Sequence, residues 1–167
     1  MDYTNAERAF LHMITVSEIG PELMALDPNG GYGVIVGSTP EAPDLFSDFS
    51  KHPGKLVYLP SLGISSTAAG AFQIIQRFAE SYMHQLQLGD FNPTSQDRIA
   101  YQMLSETGAV PLINQGDIAG AIHLARSRWA SFPGAGYGQA EHDMDTLVTA
   151  YNDSLAQIEA ESGGNTV

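Results

Sequence analysis

Between Thr4 and Pro21 the sequence spells out one amphipathic helix with its start, its buried face and its stop, and this segment constrains the fold of the whole chain. Thr4-Asn5-Ala6-Glu7 fits a capping box, in which the threonine hydroxyl and the glutamate carboxylate each take a backbone N–H at the helix entry. A helix is predicted from about Asn5 to Ser17 or Glu18. Phe10, Met13, Ile14 and Ser17 recur at helical spacing on one mostly apolar face. Glu18 lies on that face, one turn beyond Ile14. Gly20-Pro21 stops the helix, because proline supplies no donor and disfavours helix in the residue before it. A carboxyl at the tip of a core-facing stripe is partly desolvated, which raises its pKa and keeps a proton available for general-acid chemistry. The competing reading is a helix-end glutamate turned out to water.

Size and charge narrow the classes. With 167 residues, 43% of them hydrophobic, residues 1–167 are expected to bury one good core as a single domain in two lobes. The absence of cysteine excludes disulfides and thiolate chemistry. A net charge of −12, with only seven Lys and Arg and none after Arg128, argues against nucleic acid and against attraction to an anionic membrane surface. No apolar run is long enough to cross a membrane. The start, Met1-Asp-Tyr-Thr-Asn-Ala-Glu7, has no cationic region followed by an apolar one, so neither a secretory signal nor membrane insertion is expected.

After the first helix, Pro21–Gly31 reads as a loop. Gly33-Val34-Ile35-Val36-Gly37 is a β-branched run that pairs with the segment at Leu45-Phe46, and Leu56-Val57-Tyr58 adds a third short strand. From there the pattern is helical. Ser65–Ile74 opens a second helix whose stripe is Phe72, Ile75, Phe78, Ala79, Tyr82 and Leu86. Asn92-Pro93 starts a third, ending near Gly108. Asp117 caps another, with Ile118, Ala121, Ile122 and Ala125 inward and Trp129 near its end. Glycines at 134, 136 and 138 break the chain. A last helix carries Met144, Leu147, Val148, Tyr151, Leu155 and Ile158, and the tail from about 160 is expected to fray. The order implies an α+β fold, mainly helical with a small antiparallel sheet. A substrate cleft between sheet and helical lobe, with Glu18 at the junction, suits a long polymer.

Few other residues carry chemistry. Gln73 either orients a sugar hydroxyl or amide, having both donor and acceptor, or faces water. Tyr137 either lines a saccharide groove or tops an ordinary turn. Glu141-His142-Asp143-Met144-Asp145 is rich in metal-ligand types, but consecutive residues do not converge on one point, so a solvated face is preferred and no metal is expected. No Gly-Lys-Ser/Thr loop is present for phosphate, and no cofactor is implied.

Dispersed matches in order, from Ala9 to about Leu147, resemble the lambda-type phage endolysins. They include Ala-Phe-Leu at 9–11, Ser17-Glu18, Val-Ile-Val-Gly at 34–37, Leu45-Phe46, His52-Pro53 and Lys55-Leu-Val57. They continue with Ser66-Thr67, Gln73, Pro93, Ser-Gln-Asp at 95–97, Gly116-Asp-Ile118 and Trp129-Ala-Ser131, and end with Pro133–Gln139 and Glu141-His142. Gly70-Ala-Phe-Gln73 is also similar to the Gly-x-x-Gln stretch that lines the glycan site of other lytic transglycosylases. Departures are Gly33 in place of an aspartate, Ala71 in place of an arginine, and a longer hairpin around Pro40–Pro43.

The resemblance implies a lysozyme-like fold and cleavage of the MurNAc–GlcNAc bond of peptidoglycan as a lytic transglycosylase, with Glu18 as the essential acid. The residues expected to bind the glycan are Tyr32, Ser66, Gln73, Gly136 and Tyr137. A monomer is expected, made in the host cytoplasm since no signal segment is seen, and the resemblance implies that it reaches the wall in the periplasm through a lesion made by a separate holin. Two alternatives stand beside it. Glu18, Asp27 and Gly30-x-Tyr32 have a spacing similar to T4-type lysozymes, in which Asp27 would activate water for hydrolysis; the plainer reading of Asp27 is a turn residue before Pro28-Asn29-Gly30. The other is a non-catalytic glycan-binding virion protein.

Overall fold

A computed structural model describes residues 2–163 and places the capping box where the sequence does. The Thr4 hydroxyl accepts from the Glu7 amide at 3.1 Å and the Glu7 carboxylate accepts from the Thr4 amide at 2.9 Å. The box opens helix α1 (Asn5–Leu26), which is interrupted at Gly20, whose backbone is left-handed (φ 79°, ψ 156°) ahead of Pro21. The break falls where the sequence predicts a stop. The chain then resumes as helix, so 21–26 are not loop: proline, lacking a donor, opens the resumed turn at no cost in hydrogen bonds.

The remaining elements are β1 (Val57–Leu59), β2 (Ile64–Ser66), α2 (Gln76–Gln85), α3 (Pro93–Thr107), α4 (Ala109–Gln115), α5 (Ile118–Ala125) and α6 (Met144–Gly163). Among the described residues the fold is therefore mainly helical with one small antiparallel sheet. The chain divides into two units, one comprising Met1–Ser17 with Gln102–Val167 and the other Glu18–Tyr101.

In the first unit, Phe10, Met13 and Ile14 of α1 are fully buried and Ser17 nearly so. The Phe10 ring meets Tyr151 of α6 edge-on at 6.4 Å. Helix α4, not foreseen, packs on α5, and α5 on α6. Its sequence hides it because Pro111 sits inside; the proline falls in the first turn, where a missing N–H costs no bond. The Asp117 carboxylate caps α5 by accepting from the Gly120 amide at 2.9 Å, and Ile118, Ala121, Ile122 and Ala125 turn inward as predicted. Helix α6 continues through Gly163; 164–167, the rest of the tail expected to fray, lie outside the described residues.

The second unit holds the sheet. β1 and β2 form an antiparallel hairpin in the register Val57–Ser66, Tyr58–Ser65, Leu59–Ile64. The β-branched run at 33–37 pairs as expected with the Leu45 segment, but as an isolated bridge, Val34 with Leu45. Ser65–Ile74 does not start a helix. Ser65 and Ser66 belong to β2, Ala69 bridges both Ile35 and Ile74, and left-handed Gly70 (φ 81°) and Gln73 (φ 47°) bend the chain before α2 begins. Of the predicted α2 stripe, Phe72, Ala79 and Tyr82 are buried but Phe78 is 44% exposed, with the Arg77 guanidinium 4.9 Å above its ring. Asn92 caps α3 through its side-chain oxygen, which accepts from the Ser95 amide at 2.9 Å. The helix ends at Thr107, before Gly108.

Candidate active site

Glu18 is half-buried on α1, two residues ahead of the Gly20 break, at the chain position where the second unit begins. The peptide that precedes it is tightly held. In the first unit the Ser17 hydroxyl shares a hydrogen bond of 2.6 Å with the Ser131 hydroxyl. The Ser17 carbonyl accepts from His142 Nε2 at 3.0 Å, while the His142 amide donates to the Ser131 carbonyl at 2.8 Å. Three segments distant in sequence thereby fix one end of the peptide bond into Glu18.

The loop carrying Gly136 and Tyr137 belongs to the first unit as well. Gly134, Gly136 and Gly138 all have positive φ, a region that side-chain-bearing residues seldom adopt. The Glu141 carboxylate gathers the loop from one side, accepting from the Gly134 and Gly136 amides at 2.8 Å each. These two bonds hold its carboxyl below the usual range. Tyr137 is 57% exposed and its hydroxyl donates to the Ser127 carbonyl at 2.9 Å. Three side chains of the run Glu141–Asp145 bind main chain. Glu141 binds loop amides, His142 the Ser17 carbonyl, and Asp143 accepts from the Thr146 amide at 2.7 Å at the start of α6. Among the described residues no three His, Asp or Glu side chains are grouped to hold a metal ion.

Tyr32, Ser66 and Gln73 lie in the second unit. Gln73 turns its amide nitrogen onto the main chain, donating to the Gly70 carbonyl at 2.9 Å and the Val34 carbonyl at 3.3 Å. The Ser66 hydroxyl accepts from the Ala68 amide at 3.1 Å, closing the end of β2. The Tyr32 hydroxyl donates to Asp97 at 2.6 Å, and its ring meets Phe72 edge-on at 6.2 Å.

Asp27 is 4% exposed, and its carboxylate accepts from the amides of Asn29, Gly31 and Gly33 at 3.0, 3.0 and 2.7 Å and from the Asn29 side chain at 3.3 Å. The same cradle explains Gly33. A Cβ there would strike the Phe46 carbonyl oxygen and press on both Asp27 oxygens at 3.2 Å.

One residue at this site has no local signature. Gln96, in the resembling Ser-Gln-Asp stretch, is fully buried. Its oxygen accepts from the Ala71 amide at 3.0 Å, and its nitrogen donates to the Tyr32 and Phe91 carbonyls at 3.1 and 3.0 Å. A glutamine early in a helix ordinarily reads as a solvated side chain, so only the matching stretch marks it.

Known proteins are similar to this chain in sequence and in fold. The sequence model of the family described as Endolysin matches residues 8–158. The endolysin of Escherichia phage lambda is 44% identical over 155 residues, spanning 92% of this chain and 94% of that protein. The endolysin of Escherichia phage P2 is 45% identical over 147 residues, spanning 86% and 88%. Among solved structures, bacteriophage lambda lysozyme complexed with a chitohexasaccharide superposes with a TM-score of 0.83 at 43% identity, covering 92% of this chain and 96% of that one. A second structure of lysozyme from bacteriophage lambda gives 0.79 at 43% identity, with the same coverage of 92% and 96%. The fold is accordingly lysozyme-like.

Proposed function

Since the chain belongs to the endolysin family, phage enzymes that degrade host peptidoglycan for lysis, we propose that it breaks the MurNAc–GlcNAc β-1,4 bond as a lytic transglycosylase with Glu18 as its acid and base. Protonated Glu18 gives its proton to the glycosidic oxygen, and the GlcNAc side departs as an alcohol. The carboxylate so formed takes the proton of the muramic C6 hydroxyl as that oxygen bonds to the anomeric carbon, closing a 1,6-anhydro ring and restoring the acid. Water is not consumed. Holding the C6 oxygen beside the anomeric centre makes the attack intramolecular, an advantage of about 7–11 kcal/mol when well oriented. A paired-carboxylate glycosidase instead needs a second acid to activate water or to attack.

The observation that carries the single-acid scheme is the state of Asp27. Its oxygens already accept four hydrogen bonds inside a buried turn, the role of a structural carboxylate rather than of a base facing water. Glycan strands are the substrate on this reading, in keeping with the chitohexasaccharide held by lambda lysozyme. Tyr32, Ser66, Gln73, Gly136 and Tyr137 are the proposed glycan-binding residues, on one domain of two lobes. The protein works as a monomer, made in the host cytoplasm and released to the periplasmic wall by a separate holin. No helix among the described residues is long and apolar enough to cross a membrane.

Mass spectrometry of digested cell wall tests the reaction. Anhydro-muramic ends are expected, and reducing ends would reassign the chain to hydrolysis. Glu18→Gln should abolish clearing of permeabilised Gram-negative cells with the melting temperature preserved; substantial residual lysis would remove Glu18 from its role. A wild-type chain that binds wall but clears nothing would be a glycan-binding protein instead.

A further inference from the structure

Asp97, one residue beyond the buried Gln96 on α3, receives the Tyr32 hydroxyl at 2.6 Å. The two neighbours act on the same target from different sides, Gln96 on the Tyr32 carbonyl at 3.1 Å and Asp97 on the far end of its side chain. Gln96 also takes the Ala71 amide at 3.0 Å, in the stretch leading to Gln73, and Gly70 has no room for a Cβ beside it. Burial raises the Asp97 carboxyl to about 6, with the Tyr32 hydrogen bond working in the opposite direction. An ionisable group is thus kept where its charged form is disfavoured, a pattern more frequent at functional sites than in ordinary packing. Neither residue enters the transglycosylase chemistry.

We propose that Asp97 is a positioning residue for glycan binding, aiming the Tyr32 hydroxyl and ring so that this side of the saccharide site is set before the sugar arrives. The inference rests on the placing of Tyr32 at the glycan site. Tyrosine is well suited to such a contact, with an apolar face for a sugar ring and a polar tip. A side chain already held in its bound rotamer loses less freedom on binding, and that saving appears as affinity. Because the hydroxyl donates its proton to Asp97, its orientation about the C–O bond is fixed by the carboxylate.

The test is calorimetric titration of chitohexasaccharide into the full chain carrying Glu18→Gln, which reads binding without turnover. Asp97→Ala and Tyr32→Phe should each weaken binding about three- to tenfold, the range expected for one hydrogen bond. The double variant should be no weaker than the poorer single one, since both remove the same interaction. Asp97→Asn, which keeps an acceptor for the hydroxyl, should stay within about twofold of the parent. With Glu18 restored, Asp97→Ala should raise KM and leave kcat within about threefold, a split that general loss of structure does not produce. The proposal is overturned by unchanged binding in Asp97→Ala, by single losses that multiply in the double variant, or by an Asp97→Asn as weak as alanine. If Asp97→Ala does not fold, Tyr32→Phe decides alone: unchanged affinity overturns the proposal. Product analysis separates this from the transglycosylase assignment. Reducing ends with the binding pattern intact remove only the transglycosylase reading, and anhydro ends without the pattern remove only the role of Asp97.

Discussion

His142 donates its Nε2 proton to the carbonyl of Ser17, 3.0 Å away and 125 positions earlier in the chain. That carbonyl is half of the peptide bond whose nitrogen belongs to Glu18, so the loop before α6 holds the residue next to the proposed acid. His142→Ala should lower kcat about three- to tenfold with KM little changed and should cost about 1 kcal/mol of stability. His142→Gln, with a donor of similar reach, should recover part of kcat. Steady-state kinetics on purified wall and a thermal melt read both. Equal losses in KM and kcat from both variants would place the bond outside the site.

Asp27→Asn tests the alternative chemistry through the same buried turn. An amide has one acceptor oxygen where the carboxylate has two, and its NH2 would confront either the N–H groups of Gly31 and Gly33 or the two donors of Asn29. A loss of about 2–3 kcal/mol is expected in denaturant melts, the range for hydrogen bonds to a charged group. The folded fraction should keep its turnover and its anhydro product. An inactive but stable variant would reinstate Asp27 as a base.

Acid should destabilise the protein through His52. Its Nδ1 accepts from the Gly54 amide at 3.0 Å and its Nε2 donates to the Ile74 carbonyl at 2.9 Å, so the neutral ring is fully satisfied. Burial lowers its pKa below the ordinary 6.5, outweighing the opposite pull of the Ile74 carbonyl and of Glu80. The unfolded chain then takes up the proton first. This contribution is complete above about 6.5 and is lost as the pH falls toward the lowered folded value. Thermal melts from pH 7.5 to 5 should show a declining contribution from this site that is missing in His52→Gln.

Asp97 carries the opposite sign. With its carboxyl raised from 3.8 to about 6, the fold prefers the protonated form. The stabilisation is present below about 3.8 and is lost as the pH rises through about 6. At pH 8, Asp97→Asn should therefore be more stable than wild type, by at most about 3 kcal/mol, and the advantage should vanish near pH 4. A variant equally stable at both values would show that this carboxyl titrates normally.

Much of the fold is legible in the sequence wherever the signal is local. The Thr4–Glu7 box, the Asn92 and Asp117 caps and the Gly20-Pro21 break each act within one turn of chain, and each stands where predicted. The buried stripe of Phe10, Met13 and Ile14 follows from periodicity alone. Ser65–Ile74 reads wrongly as helix because its small residues permit one, while its true course depends on partners far away: Ala68 and Gly70 bond to Val36 and Val34, and Ala71 to Gln96. Glu18 stands out by its place on the stripe and before the break. The partners of the preceding Ser17, Ser131 and His142, do not, since neither segment announces a hydroxyl or a carbonyl more than a hundred residues distant.

The loop gathered by Glu141 is gripped at two main-chain points, the amides of Gly134 and Gly136, and at one side chain, the Tyr137 hydroxyl on the Ser127 carbonyl. The two glycine amides are held whatever stands at 137, whereas the tip is tied down by the tyrosine oxygen. A phenylalanine at 137 would therefore unfasten the tip from Ser127 while the peptide beneath keeps both of its anchors.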